Sequence, residues 1–476
     1  MHCGALTEKI MKLTEKASLP NALLISICTP ELKGDEAAES LAELARLVTT
    51  LGFKVVGSQT QKLNSTNKAN VLGAGKLADV AQLTGNQGEI EENQETEIPP
   101  DEINIDSIPE NIESQDLPYG CADVVVFDCD LSPSQLRNVE NQLGVEVFDR
   151  TGIIIEIFSR HARTKTARLQ VEIARLNYVA PRLRETSTGD RDRQMGKGAG
   201  ETNLELNRRK VRDQIAALKR ELASVQDEMR GRRTQRSDNY CVALVGYTNA
   251  GKSSLMRAIT GSDVEGENKL FATLDTTVRA LYPPTQPRIL VSDTVGFIKK
   301  LPHDLVASFH STLAEAQDAS LLLYVVDASD PSFRTQLDVV HQVLGDVGVE
   351  DSNKLLVLNK SDLLSDDQQQ ALLEEFPAAM LTSARNASDI TKLHRYIKDI
   401  SLDGMIEEEI IVPYTANGII GEIRSVMNVI KEEYEYEHTK LTVRSSAVNL
   451  ARLQKRMDEL NGRKDTVVRD KWRFRG

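Results

Sequence analysis

The chain has no cysteine pair at C-x-x-C spacing. Its five cysteines, Cys3, Cys28, Cys121, Cys129 and Cys241, are scattered without the spacing of a metal site. That excludes a disulfide framework and a cysteine-built zinc site, and reads as reduced thiols in a cytosolic protein. No apolar run approaches the roughly 18 residues of a membrane span. The opening MHCGALTEKIMKLTEK lacks the long apolar segment of a signal peptide. A cytoplasmic monomer is the expectation. Basic charge is also short overall, and a net charge of −13 argues against a general nucleic-acid binder. Lysine and arginine are missing altogether between Lys76 and Arg137. Within that gap, residues 84–118 are rich in Glu, Asp, Asn, Gln and Pro, too polar to offset their own ordering entropy, so a disordered acidic insertion is expected there.

At 476 residues the chain is long for one core. The pattern implies an α/β protein of several domains. Residues 1–158 read as a parallel-sheet α/β domain carrying the insertion. Its strands are expected at Ala22–Ile27, Phe53–Val56, Ala122–Phe127 and Gly152–Phe158, with a helix from Glu36 to Thr50. Gly73-Ala74-Gly75-Lys76 opens a short helix, and Ser132-Pro133-Ser134-Gln135 has the makings of a capping box.

Residues 159–238 read as a helical hairpin. Leu169, Ile173, Leu176 and Ala180 line its first arm, which Pro181 ends. Leu204, Val211, Ile215, Leu218, Leu222, Val225 and Met229 form a near-heptad seam on the second. This stretch holds about twenty basic and eleven acidic residues, a positive island in an acidic chain. Its connection carries Arg182, Arg184, Arg191, Arg193, Lys197 and the run Gly196–Gly200. Contact with RNA phosphates is the favoured use; a solvated coiled coil is the alternative. Residues 239–402 then read as a nucleotide-binding domain of the Ras-like P-loop class. Residues 403–476 read as a small α+β unit, with a helix from Ile419 to Ile430 and a basic-aromatic tail, Val467–Arg475.

The chemistry is concentrated in four motifs in a fixed order. An apolar strand leads into Gly246-Tyr247-Thr248-Asn249-Ala250-Gly251-Lys252-Ser253, and a helix follows from Ser254. Such a loop turns backbone N–H groups and a helix N-terminus toward phosphate; Lys252 reaches the β- and γ-phosphates and Ser253 holds Mg²⁺. A second strand ends in Asp293-Thr294-Val295-Gly296, whose carboxylate can hold the Mg²⁺ shell and whose Gly296 N–H can meet the γ-phosphate. A third runs into Asn359-Lys360-Ser361-Asp362, where the Asp362 carboxylate accepts from the N1–H and 2-amino group of guanine. Ser383-Ala384 offers a backbone N–H to the guanine carbonyl. The wrong base would leave those polar groups unpaired, which can discriminate by about 10⁴–10⁵-fold. GTP and GDP are therefore the expected ligands.

Between the loop helix and Asp293 lies Leu270–Thr277, where a first switch belongs. Thr273 is taken as the second Mg²⁺ hydroxyl, with Thr276 and Thr277 as rivals. Phe297 stands where Ras-like hydrolases carry the glutamine that orients the attacking water. The missing charge comes either from a partner or from a monovalent cation such as K⁺ held at Asn249, a residue that could equally be a plain turn asparagine.

Long stretches resemble the HflX-type GTPases. They are LSPSQLRNVENQLGVEVFDRTGIIIEIFSRHARTKTARLQVEIARLNYVAPRL (131–183), GAGETNLELNRR (198–209), LFATLDTT (270–277) and DTVGFIKKLPHDLVASFHSTL (293–313). The resemblance spans nearly everything but the insertion and the last fifteen or so residues. It implies a GTPase that binds the large ribosomal subunit and its rRNA through its N-terminal and helical regions, splits or rescues stalled ribosomes, and hydrolyses GTP faster on the ribosome. An assembly or dormancy factor gated by GTP, without splitting, is the other reading. Phe297 matches the family. Ala199, where the family has the proline of G-P-G-E, and Thr276, where it has the proline of L-D-P-T, depart from it. The family's N-terminal domain is also suspected of binding adenine nucleotide, for which Gly73–Lys76 offers a thin basis.

Overall fold

A computed structural model describes residues 19–29, 34–63, 71–86, 120–183, 203–234, 239–262, 271, 277–286, 288–300, 315–349, 353–403, 405–416, 418–447 and 449–458. Most of the acidic insertion, the basic tip from Arg184 to Gly200, Thr273, Thr276 and the C-terminal tail lie outside the described residues. The chain divides into two compact units, residues 1–225 with 268–274 and 298–310, and residues 226–267 with 275–297 and 311–476.

The first unit is built on a four-stranded parallel sheet. Its strands are β1 (Asn21–Cys28), β2 (Lys54–Lys62), β3 (Val124–Phe127) and β4 (Glu146–Asp149), ordered β2-β1-β3-β4. Helices α1 (Gly34–Thr50), α2 (Ala74–Thr84) and α3 (Pro133–Leu143) connect them. The alternation of strand and helix thus gives the parallel sheet that it implies. The α3 capping box forms: Ser132 Oγ accepts from Gln135 N–H, and the Gln135 side chain accepts from Ser132 N–H.

The expected strand at Gly152–Phe158 is instead part of helix α4 (Arg150–His161). Its residues Ile153, Ile154, Ile155, Ile157 and Phe158 are all buried, and so is the one charged residue among them, Glu156, so the run has no exposed face to reveal a helical period. What starts the helix is Asp149, whose Oδ1 accepts from the Gly152 N–H at 2.8 Å. The short strand β4, immediately before it, takes the place at the sheet edge.

Asp149 is fully buried and also accepts from Tyr178 Oη at 2.7 Å and Arg182 Nη2 at 2.9 Å. Both partners come from the end of α5 (Lys165–Val179) and the turn Ala180–Arg182, where Pro181 ends the arm as expected. One carboxylate thus ties sheet, α4 and α5 together. The expected second arm is a helix, α6 (Asn203–Thr234). Val211 is buried along it and Ile215, Leu218, Leu222 and Val225 are half-buried, while Leu204 and Met229 of the expected seam lie outside the residues whose side chains are described. Arg208, Arg209, Lys210, Arg212, Lys219 and Arg220 are exposed.

The second unit contains a six-stranded sheet, β5 (Tyr240–Val245), β6 (Thr277–Ala280), β7 (Ile289–Asp293), β8 (Leu321–Asp327), β9 (Lys354–Asn359) and β10 (Met380–Leu381). The order is β10-β9-β8-β5-β7-β6, parallel except for β6 against β7. Helices α7 (Lys252–Thr260), α8 (Phe333–Asp346), α9 (Asp366–Glu375) and α10 (Ala387–Leu402) accompany it. A three-stranded antiparallel sheet follows, β11 (Ile406–Pro413), β12 (Asn428–Tyr434) and β13 (His438–Ser445), with helix α11 (Ile419–Val426). The helix expected to reach Ile430 stops at Val426, because the chain enters β12 two residues later. Ile410, Val412, Ile419, Ile423, Leu441 and Val443 form this sheet's own core, the α+β arrangement read from the sequence.

Asp149→Ala is expected to destabilise the first unit by about 3–5 kcal/mol, because Arg182 and Tyr178 would lose their shared acceptor in the interior. Urea unfolding followed by far-UV circular dichroism measures it; a loss under 1 kcal/mol would show that α4 does not depend on this carboxylate.

Candidate nucleotide-binding site

The site sits at the carboxyl ends of β5, β7, β8 and β9, where open α/β sheets take their ligands. Val242–Val245 are fully buried, and the chain leaves the sheet at Gly246 and re-enters a helix at Lys252. Gly251 caps that helix with φ at 91°, and a Cβ there would lie 2.2 Å from Asn359 Nδ2. Only glycine fits a left-handed position against that amide. The Asn359 Nδ2 donates to Ala250 O at 2.8 Å, so the asparagine of the third motif clamps the loop of the first. Asn249 is exposed with φ at 61°, a turn conformation that asparagine tolerates.

Lys252 is buried, and its Nζ donates to Gly246 O at 3.0 Å and Tyr247 O at 2.8 Å. Burial lowers its pKa to about 8, and the neighbouring Asp293 carboxylate opposes that shift. Ser253 Oγ donates to Asp293 Oδ2 at 2.7 Å. A hydroxyl from the first turn of α7 and a carboxylate from the end of β7 thus converge as hard oxygen donors, the set that Mg²⁺ takes together with phosphate and water. Thr294 turns its hydroxyl the other way, onto Leu244 O at 2.7 Å, where it fixes the start of the second motif to β5. Ser254 is held on the helix by Arg257 Nη2, at 3.3 Å from its Oγ.

Gly296 and Phe297 lie directly on the loop. The Thr248 N–H donates to Phe297 O at 2.8 Å, and the Phe297 N–H donates to Gly246 O at 3.2 Å. Tyr247 and Phe297 form an isolated parallel bridge, and both side chains are buried. A Cβ on Gly296 would be 2.8 Å from Thr248 Cγ2 and 3.2 Å from Lys252 Nζ. Val295 is buried beside them.

The base side is assembled around Asp362. Its Oδ1 accepts from Ser383 Oγ at 2.7 Å. The Ser383 N–H donates to Asp389 Oδ2 at 3.2 Å, so of the pair Ser383-Ala384 the serine amide is already engaged. Lys360, at φ 61°, pairs with Asp327 at 2.5 Å. Asp327 and Asp389 were not picked out from sequence, although Asp327 ends the apolar run Leu321–Val326 as Asp293 ends its own. The structure therefore brings together Gly246 to Ser254, Asp293 to Gly296, Asn359, Lys360, Asp362 and the Ser383-Ala384 turn. Thr277, in β6, places its Oγ1 3.8 Å from Met256 Sδ, turned toward the loop helix.

A strand, a glycine-lined loop with a buried lysine, a second strand ending in aspartate and an N-K-x-D turn define a P-loop GTPase domain. Family models match along the chain: "GTP-binding GTPase N-terminal" at residues 38–92 and 105–159, "GTP-binding GTPase Middle Region" at 161–236 and "50S ribosome-binding GTPase" at 241–360. The GTPase HflX of Gluconacetobacter diazotrophicus is 49% identical over 443 residues, covering 92% of this chain and 98% of that protein. That of Magnetococcus marinus is 36% identical over 443 residues, covering 91% and 94%. The chain belongs to the HflX family of GTPases. A more distant likeness, at 22% identity and a TM-score of 0.40, is to a GTP-binding protein from Sulfolobus solfataricus in complex with GDP, over 80% of this chain and 99% of that one.

Two outcomes test the site. Phosphate binding needs the Lys252 ammonium and in turn holds its proton, so above about pH 8 binding must take up a proton. Affinity for GDP should then fall with rising pH, by up to about tenfold per unit; calorimetry in buffers of differing ionisation enthalpy measures it, and a flat profile to pH 9.5 would contradict it. Asp362→Asn should replace guanine preference by xanthine preference, read as the ratio of GDP to XDP affinity.

Proposed function

We propose that this GTPase binds the large ribosomal subunit and its rRNA, splits or rescues stalled ribosomes, and is stimulated to hydrolyse GTP by that contact. The observation that carries the proposal is Phe297. It is 3% exposed, with both its N–H and its carbonyl committed to the phosphate loop. An apolar side chain cannot orient the attacking water, so a group from outside the described residues must complete the site. The match of residues 241–360 to a model described as "50S ribosome-binding GTPase" supports a ribosomal partner. The exposed cluster Arg208, Arg209, Lys210 and Arg212 on α6 supports contact with an RNA backbone in a chain of net charge −13.

In this reading Lys252 and Gly296 act on the γ-phosphate, Ser253 and Thr273 hold Mg²⁺ with Asp293 behind its water shell, and Asn249 holds K⁺. Asn359, Lys360, Asp362 and Ala384 grip guanine. The chain works in the cytoplasm as four domains, 1–158, 159–238, 239–402 and 403–476.

Sucrose-gradient profiles of intact ribosomes incubated with the protein and a non-hydrolysable GTP analogue test the splitting step. The expected outcome is a shift from whole ribosomes to free subunits with the protein on the large one. Protein bound with no such shift would favour an assembly or dormancy factor; no association with either subunit would overturn the ribosomal reading.

A further inference from the structure

The base side of the nucleotide site holds a carboxylate that belongs to none of the four motifs. Asp389 lies in the first turn of α10. That helix is fixed by Leu393 and Ile397, fully buried in the core of the six-stranded sheet, with Ile390 packed against the same core. An acidic residue in a first turn ordinarily serves its own helix N-terminus. Here Asn386 caps the helix, its Oδ1 accepting from the Ser388 N–H at 3.0 Å. Asp389, with its side chain 14% exposed, reaches back six residues instead, and its Oδ2 accepts from the Ser383 N–H at 3.2 Å. Its Oδ1 accepts from the exposed Lys392 Nζ at 3.5 Å, a surface pair of little worth.

Ser383 is 2% exposed and each of its polar groups is engaged. Its Oγ donates to Asp362 Oδ1 at 2.7 Å and accepts from the Arg385 N–H at 3.2 Å. Its carbonyl accepts from the Asn386 N–H at 3.0 Å. A trans peptide is planar, with C=O and N–H pointing opposite ways. The plane between Ser383 and Ala384 is therefore set at its carbonyl end by Asn386, and the Ala384 N–H leaves in the other direction, with no acceptor among the described residues. The preceding plane is set at both ends. Its Thr382 carbonyl accepts from the Ser361 N–H at 3.3 Å, and its Ser383 N–H is held by Asp389. Two consecutive planes are thus fixed, and with them the direction of the one donor that the turn leaves free. Without the Asp389 carboxylate, the Ser383 N–H would be buried and unpaired. The turn relieves that cost by rotating the amide toward water, which carries the Ala384 N–H with it.

We propose that Asp389 is a positioning residue that sets how strongly the 6-oxo group of guanine is read: by holding the Ser383 N–H it aims the Ala384 N–H at that oxygen. The proposal rests on the guanine-nucleotide reading of the base side, in which Asp362 takes the N1–H and 2-amino group. Charge alone would act in the opposite sense. A carboxylate beside the partly negative 6-oxo group repels it, so removing a purely electrostatic Asp389 would tighten GDP binding.

The test is calorimetry of the full chain and its variants with GDP, with IDP, which keeps the 6-oxo group but lacks the 2-amino group, and with 6-thio-GDP, which keeps the N1–H and 2-amino group but offers only a weak sulfur acceptor. The parent should bind 6-thio-GDP less tightly than GDP. Asp389→Ala should lower the affinities for GDP and IDP by the same factor, about 2–10-fold, the worth of one hydrogen bond, and leave that for 6-thio-GDP nearly unchanged. Asp389→Asn, which keeps an acceptor oxygen and loses the charge, should stay near the parent with all three. Retained binding of 6-thio-GDP also shows that the variant is folded. Should Asp389→Ala fold poorly, Asp389→Ser, whose hydroxyl stops short of the amide, is read in the same way. Equal losses with GDP and 6-thio-GDP, no loss with either, or tighter GDP binding by both the alanine and asparagine variants would overturn the positioning role. A parent that does not prefer GDP to 6-thio-GDP, or that binds no guanine nucleotide, would instead overturn the reading of the base side, and the proposal with it.

Discussion

The register between Tyr240–Val245 and Ile289–Asp293 is the constraint on which the nucleotide site depends. Leu244 stands opposite Asp293 across this parallel pair. That places the departure of the phosphate loop beside the departure of the second motif. From it follow the Ser253–Asp293 hydrogen bond, the Thr294 hydroxyl on Leu244 O and the two backbone bonds between Gly246-Thr248 and Phe297. A slip of one residue would turn Asp293 to the other face of the sheet, away from the loop. The fully buried apolar residues of both strands are what make such a slip costly.

Within that frame, Lys252 is a cation in a place that disfavours cations. Burial lowers its pKa, and two loop carbonyls are its hydrogen-bond partners. A phosphate supplies the counter-charge that the carbonyls only approximate, so binding is a change of partners for a lysine already aimed correctly. The phosphate side is prearranged, while catalysis is not: Phe297 fills the glutamine position with a buried ring. Phosphate binding thus has its cation in place while the water-orienting position holds an apolar ring, which suits the proposed control of turnover from outside the loop.

Much of this was legible in the sequence because the motifs carry their own local geometry. Glycine and lysine spacing, an aspartate after an apolar strand and N-K-x-D each depend on a few consecutive residues. Contacts between distant segments were not legible. Asp327 reaches Lys360 only because β8 and β9 are in register, with Asp327 opposite Asn359. Asp389 engages the Ser383 amide from the next helix. The run Gly152–Phe158 reads as a strand but is helical for a related reason. With Glu156 buried among the isoleucines the segment shows no exposed face to set a period, and the deciding cap from Asp149 works together with Tyr178 and Arg182, about thirty residues on. Lys299 and Lys300 have their partners, Glu39 and Asp128, far back in the chain.

The most direct measurement is the GTP turnover rate of the purified protein with and without large ribosomal subunits, at saturating nucleotide. The account predicts slow intrinsic turnover and a rise of orders of magnitude on adding the subunit, because the partner completes a site that Phe297 leaves without a water-orienting group. Equal rates in the two conditions, with nucleotide binding intact, would contradict it.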